Sequence, residues 1–203
     1  MLAAGCQDPG AGAGGGSTSS TSSNVTTSSG VTPALTCEFY CAQVMKYCTA
    51  QNQQYQDASV CLTVCATFPP GTLDDRNVDT LGCRVFETEH LATAPDTKCA
   101  HAGPSGGDLR GSLPGICGDG CEAFCNLESS VCTGANDVYS TQTDCRNACE
   151  AFPGQASSDD FDIGDGTGDT FNCRLEQLTA AVGSPSKCGG AKPSATNDPC
   201  SGP

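Results

Sequence analysis

The sequence predicts an all-α, small disulfide-rich fold. It has two tandem units, each a helical hairpin followed by a third helix and a Gly/Pro-rich loop, after a disordered N-terminal tether. Three observations predict it. The chain carries 17 cysteines in 203 residues, with no tryptophan and only 5 % aromatics. Such usage belongs to scaffolds stapled by disulfides in an oxidising compartment. The phrase "CEFYCAQVMKYC" at 37–48 returns as "CEAFCNLESSVC" at 121–132, and the first four cysteine intervals are 4, 7, 13 and 4 in both copies. Intervals of 4 and 7 place side chains on one face of a helix.

Residues 1–6 come first. Leu2-Ala3-Ala4-Gly5-Cys6 resembles a bacterial lipobox, in which a signal peptidase cuts before a cysteine that is then acylated. No charged n-region or apolar h-region precedes it, so the reading places the true start further upstream. Setting Cys6 aside leaves 16 cysteines, an even number. An acylated Cys6, a palmitate-type modification, would hold the chain at a membrane with no spanning helix. Gln7 after it favours outer-membrane delivery. Residues 7–35 hold "GAGAGGGSTSSTSSNVTTSSG" and lack apolar periodicity, so they read as a disordered Gly/Ser/Thr linker.

The first repeat spans 36–117, with Cys37, Cys41, Cys48, Cys61, Cys65, Cys83, Cys99 and Cys117. The second spans 121–203, with Cys121, Cys125, Cys132, Cys145, Cys149, Cys173, Cys188 and Cys200. Cys37, Cys41, Val44, Met45 and Cys48 form one helical stripe, and Cys61, Leu62, Cys65 and Phe68 a shorter one. Asp57 and Thr141 suit the N-cap of the second helix. Pro69-Pro70 and Pro153 end it. A third helix is expected from N-caps at Asp79 and Asp169, in "DTLGCR" and "DTFNCR", with apolar positions Leu81, Val85 and Ala92, and Phe171, Leu175, Leu178 and Val182. A Gly/Pro-rich loop follows in each repeat.

All 16 cysteines of the repeats are expected in disulfides. If the last turn of the first helix faces the first turn of the second, Cys48 pairs with Cys61 and Cys41 with Cys65. The second repeat then has Cys132–Cys145 and Cys125–Cys149. Cys37 and Cys121 remain for Cys83 and Cys173, and Cys99–Cys117 and Cys188–Cys200 close the tail loops. Each bridge contributes about 2–4 kcal/mol, chiefly by restricting the unfolded chain. Bridges, more than a core poor in aromatics, are therefore expected to hold the fold.

The twin C-x3-C pattern (Cys37/Cys41 with Cys61/Cys65, Cys121/Cys125 with Cys145/Cys149) resembles the helical hairpins of small mitochondrial intermembrane-space chaperones. Cys48, Cys132 and the third helices depart from it. More broadly, the lipobox, the Ser/Thr tether, "CEAFC", "DTLGCR" and "HAGPSGG" resemble cysteine-rich repeat lipoproteins of large-genome Gram-negative bacteria, myxobacteria especially. That resemblance implies secretion and surface anchoring in the cell envelope.

The net charge of −14 argues against nucleic acid and anionic membrane surfaces as partners. No nucleophile elbow, nucleotide loop, C-x-x-C pair or paired histidines occur in the sequence, so no cofactor and no enzymatic activity are expected. His90 and His101 read as ordinary surface or packed histidines. The segment "SSDDFDIGDGTGD" at 157–169 is an insertion in the second repeat. Its Asp159, Asp160, Asp162, Asp165 and Asp169 suit calcium by donor type, although Gly164 breaks the EF-hand pattern; a solvated acidic loop is the plainer reading. The expected function is a surface-anchored, non-catalytic binding, adhesion or envelope-structural protein with a protein or glycan partner. A calcium- or metal-dependent extracellular module is the alternative.

Overall fold

Helices start in this chain where a side-chain oxygen can take up an orphan backbone N–H. Thr36 caps α1 (Cys37–Tyr47), accepting from Phe39 N, and Asp57 caps α2 (Ala58–Cys65), accepting from Ser59 and Val60 N. Thr80 caps α3 (Leu81–Thr88) through Cys83 N. α4 (Pro95–Ala102) instead opens on Pro95, whose missing N–H costs nothing at a first helical position. In the second repeat, Asp119 caps α5 (Gly120–Val131), Thr141 caps α6 (Gln142–Glu150) and Thr170 caps α7 (Phe171–Ala181). Short 3-10 turns lie at Ala50–Asn52, Gly134–Asn136 and Pro185–Ala191.

The computed structural model describes residues 33–107, 116–152, 161–164, 166–193 and 199–200. Those residues are all-helical, and both repeats lie in one unit, 32–203. Cys6 and most of the linker at 7–35 lie outside the described residues. None of the helices described is long and apolar enough to cross a membrane.

Two features of the third helices correct the sequence reading. Their N-caps are Thr80 and Thr170, one residue after Asp79 and Asp169. The aspartates instead pair with Arg84 and Arg174 of the same helices. Ala92 is exposed and Leu91 buried, because α3 ends at Thr88 and the chain turns. Where a loop was expected, the first repeat has α4 and the second a 3-10 turn, each carrying a cysteine into the core.

All sixteen cysteines of the repeats form bridges, but the partners differ from those expected. Cys37 joins Cys65, Cys41 joins Cys61, Cys48 joins Cys99 and Cys83 joins Cys117. The second repeat copies this with Cys121–Cys149, Cys125–Cys145, Cys132–Cys188 and Cys173–Cys200. Helix geometry explains the correction. At 1.5 Å rise per residue, a four-residue interval spans about 6 Å and a seven-residue interval about 10 Å. Two bridges across one antiparallel pair need equal spans on both helices. Only Cys37/Cys41 matches Cys61/Cys65, and antiparallel order then pairs the outer with the outer. Cys48, the C-cap residue of α1, is thereby free to fasten α4. No bridge links the two repeats.

One buried apolar cluster runs through both repeats, and each repeat has an equivalent hydrogen-bonded point in it. In the first repeat Tyr40, Val44, Tyr55, Val64 and Leu91 are fully buried, with Tyr40 edge-on to Tyr55 and Phe68. Tyr40 OH lies 2.7 Å from Tyr55 OH and donates to the Ala102 carbonyl of α4. Burial pushes the Tyr40 hydroxyl up to about 12, which keeps it a protonated donor. In the second repeat, Phe124 stands where Tyr40 does. There Tyr139, the counterpart of Tyr55, donates to Ala191 O, the counterpart carbonyl, at 2.7 Å. A buried carbonyl needs a donor, and the first repeat supplies it from helix α1 whereas the second supplies it from the segment before α6.

Candidate functional site

The sequence "DTLGCR" builds one wall of a cleft where the two repeats meet. Thr80 starts α3, Cys83 is bridged, and Arg84 turns back beneath them, fully buried. Its Nε donates to Gly103 O at 3.1 Å and Nη2 to Pro104 O at 3.4 Å. Its Nη1 lies 2.7 Å from Asp79 Oδ1, and its guanidinium lies over the Phe68 ring at 3.8 Å. Asp79 Oδ2 accepts from Asn126 of α5 at 3.1 Å, which ties the second repeat to the first. "DTFNCR" repeats the device: Arg174 bonds Thr170 O, Lys192 O and Asp169 and lies over Phe152.

Between these elements lies a cleft of about 390 Å³ lined by Pro69, Asn77, Val78, Asp79, Thr80, Gly118, Asp119 and Glu122. Gly118 makes the close approach possible. It sits at φ +96°, and a Cβ there would come within 2.5–2.8 Å of Asp79 atoms. Asn77 N donates to Ile116 O at 2.9 Å beside it. Asp119 caps α5 and takes Arg146 Nη2 at 2.7 Å, whereas Glu122 reaches Arg146 only at 3.9 Å. Asp75 accepts from Thr80 Oγ1 at 2.8 Å; hydrogen bonds from Thr72 and Thr80 hold its carboxyl below the usual range, so it is ionised at neutral pH. Val78 is 43 % exposed and forms an apolar lip.

The acidic insertion is described only in part. Asp159, Asp160 and Asp165 lie outside the described residues. Asp169 pairs with Arg174, and Phe161 is 1 % exposed. The Phe161 carbonyl accepts from Gln54 Nε2 at 2.6 Å, and Ile163 N donates to Gln53 O at 2.7 Å. The described part of the insertion therefore docks the second repeat on the first, with Gln56 Nε2 bonding Thr179 Oγ1 at 3.2 Å nearby. Among the described residues no three His, Cys, Asp or Glu side chains gather as metal ligands. His90 stacks edge-on to Phe86 at the surface. His101, with Lys98, pairs with buried Glu87 and ties α4 to α3. Burial pushes the Glu87 carboxyl up, but the His101 and Lys98 hydrogen bonds outweigh it and hold it below its usual value.

Sequence reading missed Arg84, Arg174, Asp119 and Glu122 as structural or cleft residues. The recurring "DT..CR" was the signal for the arginines. For the cleft no linear signal exists, because its two walls are some 40 residues apart.

The pattern of the BfoA family C-terminal domain matches residues 16–119, just over half of the chain. The chain belongs to the BfoA family. The match takes in the first repeat and both walls of the cleft up to Asp119. Relatives of this BfoA-family chain include the Aurasperone B biosynthesis cluster protein A of Aspergillus niger, 36 % identical over 91 residues. The Bifonsecin B biosynthesis cluster protein A of Aspergillus brasiliensis is 37 % identical over 91 residues. Each alignment covers 43 % of this chain and 30 % of the relative, so the chain spans less than a third of their length. No solved structure matches. These findings overturn the resemblance to myxobacterial cysteine-rich repeat lipoproteins. A run of small residues before a cysteine, a Ser/Thr tether and dense cysteines carry little information about descent. Each recurs wherever secreted, disulfide-stapled chains do.

Proposed function

We propose that this BfoA-family chain is a non-catalytic binding module that works outside the reducing cytosol, with the cleft between its repeats as the binding surface. The observation that carries the proposal is the set of eight bridges, all closed within their own repeats, around cores of few aromatics. A fold that depends so heavily on oxidised pairs needs an oxidising compartment. The bridges also leave the junction cleft as a preformed concavity, whose size falls within the ordinary range for ligand sites of roughly 300–1,000 Å³.

Two measurements test it. Alkylation of freshly isolated native protein, followed by mass spectrometry, is expected to find the sixteen repeat cysteines blocked. Free thiols throughout would remove the proposal. Zero-length cross-linking in the native extracellular milieu is expected to join a partner to the carboxylates of the cleft, Asp119 and Glu122. Links scattered over all surface carboxylates alike would count against a binding surface there. Anchoring through an acylated Cys6 belongs to the same proposal. Alkynyl-palmitate labelling that disappears in Cys6→Ser supports it, and unlabelled protein free in the medium removes it.

A further inference from the structure

The charges around the junction cleft do not cancel. Asp79 is 6 % exposed and faces Arg84, and Asp119 faces Arg146 at 2.7 Å. Among the described residues, no Lys or Arg lines the cleft itself. Glu122 adds a third carboxylate whose side chain is 51 % exposed and 3.9 Å from the nearest guanidinium nitrogen, too far for a hydrogen bond. Asp75, bonded to Thr80 at the rim and facing the charge of Arg76, adds a fourth. Within the pair that closes the floor, Asp79 Oδ1 lies 2.7 Å from Arg84 Nη1 yet receives no aligned hydrogen bond. Pro69 and the exposed Val78 line the same cleft.

We propose, building on the binding-module reading, that the cleft recognises an organic monocation on a short apolar stem: an ammonium or guanidinium group of the kind that ends a lysine or arginine side chain, presented by a polypeptide. An excess of negative charge, two carboxylates sharing the one Arg146 guanidinium, beside an apolar wall selects this shape. The stem covers Val78 and Pro69 while the head meets Glu122. A strongly hydrated inorganic cation would gain nothing from the apolar wall, and an anion is repelled. Excess acidic charge elsewhere on the chain, net −14, draws the partner in, and the cleft supplies the stem contact.

The test titrates the oxidised, 15N-labelled full chain with three probes: an acetylated, amidated Ala-Arg-Ala peptide, its citrulline analogue, and agmatine. Saturable amide shifts confined to Asn77, Val78, Gly118 and Glu122 are expected with the arginine peptide. The citrulline peptide should bind at least tenfold more weakly. Glu122→Gln should weaken the arginine peptide about fivefold or more, and Val78→Asn should weaken it while Glu38→Gln does not. Retained shifts at Tyr40 and Tyr139 show that the variants are folded. Agmatine separates the sources: peptide binding clearly tighter than agmatine supports a polypeptide partner, and equal or tighter agmatine binding overturns that part in favour of a free amine. Equal binding of arginine and citrulline peptides, or unchanged binding in Glu122→Gln, overturns the proposal. So do shifts spread over every acidic surface residue that salt abolishes together. If the cleft fails all cations but cross-linking still finds a partner there, the cation inference falls and the binding-module reading stands.

Discussion

Replacing Arg84 by alanine should destabilise this fold more than the same change at Arg174, although the two arginines occupy equivalent places in the repeats. Both side chains are buried, at 0 % and 1 % exposure. Their partners differ: the Asp79 side chain is 2 % exposed and that of Asp169 is 35 % exposed. Removing Arg84 leaves Asp79 charged in a dry site and removes the donors of Gly103 O and Pro104 O. Breaking a buried pair from one side costs about 3–5 kcal/mol. Removing Arg174 leaves Asp169 near water, where the loss falls toward that of a lost buried hydrogen-bonding group, about 1–3 kcal/mol. The expected gap is therefore about 2 kcal/mol. Guanidinium unfolding with all bridges intact, followed by circular dichroism, measures it. Arg84→Ala combined with Asp79→Asn should recover part of the loss, because the orphaned charge is gone. Equal costs for the two single variants, or no recovery in the double, would refute the argument that the dry carboxylate sets the penalty.

Other outcomes follow from the same structure. Glu128, 4 % exposed, stands where the first repeat has Val44. Burial and then Asp137 raise its carboxyl above the usual value, against a hydrogen bond from Val138 N. An acid with a raised folded value favours folding below its unfolded value and loses that favour as pH rises through the folded one. Glu128→Gln keeps the acceptor for Val138 N and should stabilise the protein by about 0.5–2 kcal/mol at pH 7, with the gain gone near pH 4. A gain equal at both pH values would contradict this. Glu87 has the opposite sign: its depressed carboxyl contributes stability above its ordinary value that is lost as pH falls, so Glu87→Gln should lower the melting temperature near neutral pH and flatten the acid limb of the profile, the gap to the parent chain closing as pH falls. Phe161→Ala empties the seat of the insertion and should cost about 3–5 kcal/mol, with faster amide exchange at Ile163, whose N–H bonds Gln53 O across the seam. Non-reducing peptide mapping should recover Cys48–Cys99 and Cys132–Cys188. Recovery of Cys48–Cys61 instead would overturn the hairpin geometry.

Much of this protein was written locally. Cysteine intervals of 4, 7, 13 and 4, twice over, specify helices, a repeat and an oxidised scaffold, because bridge chemistry and helix pitch act between near neighbours. Asp57 and Thr141 declare helix starts for the same reason, since a cap bonds its own next turn. What the chain could not declare in one dimension depended on which distant surfaces meet. Cys48 reaches Cys99 rather than Cys61 only because two helices must match spans across space. Asp79 leaves the cap to Thr80 because a buried guanidinium from the next turn claims it. The acidic insertion reads by composition as a solvated acidic loop with calcium as the lesser alternative; that Phe161 also sits in the seam between repeats is a role that exists only once Gln53 and Gln54 lie opposite. The junction cleft is of the same kind. Its carboxylates become a site when folding sets Glu122 beside Val78 and leaves one charge without a full partner.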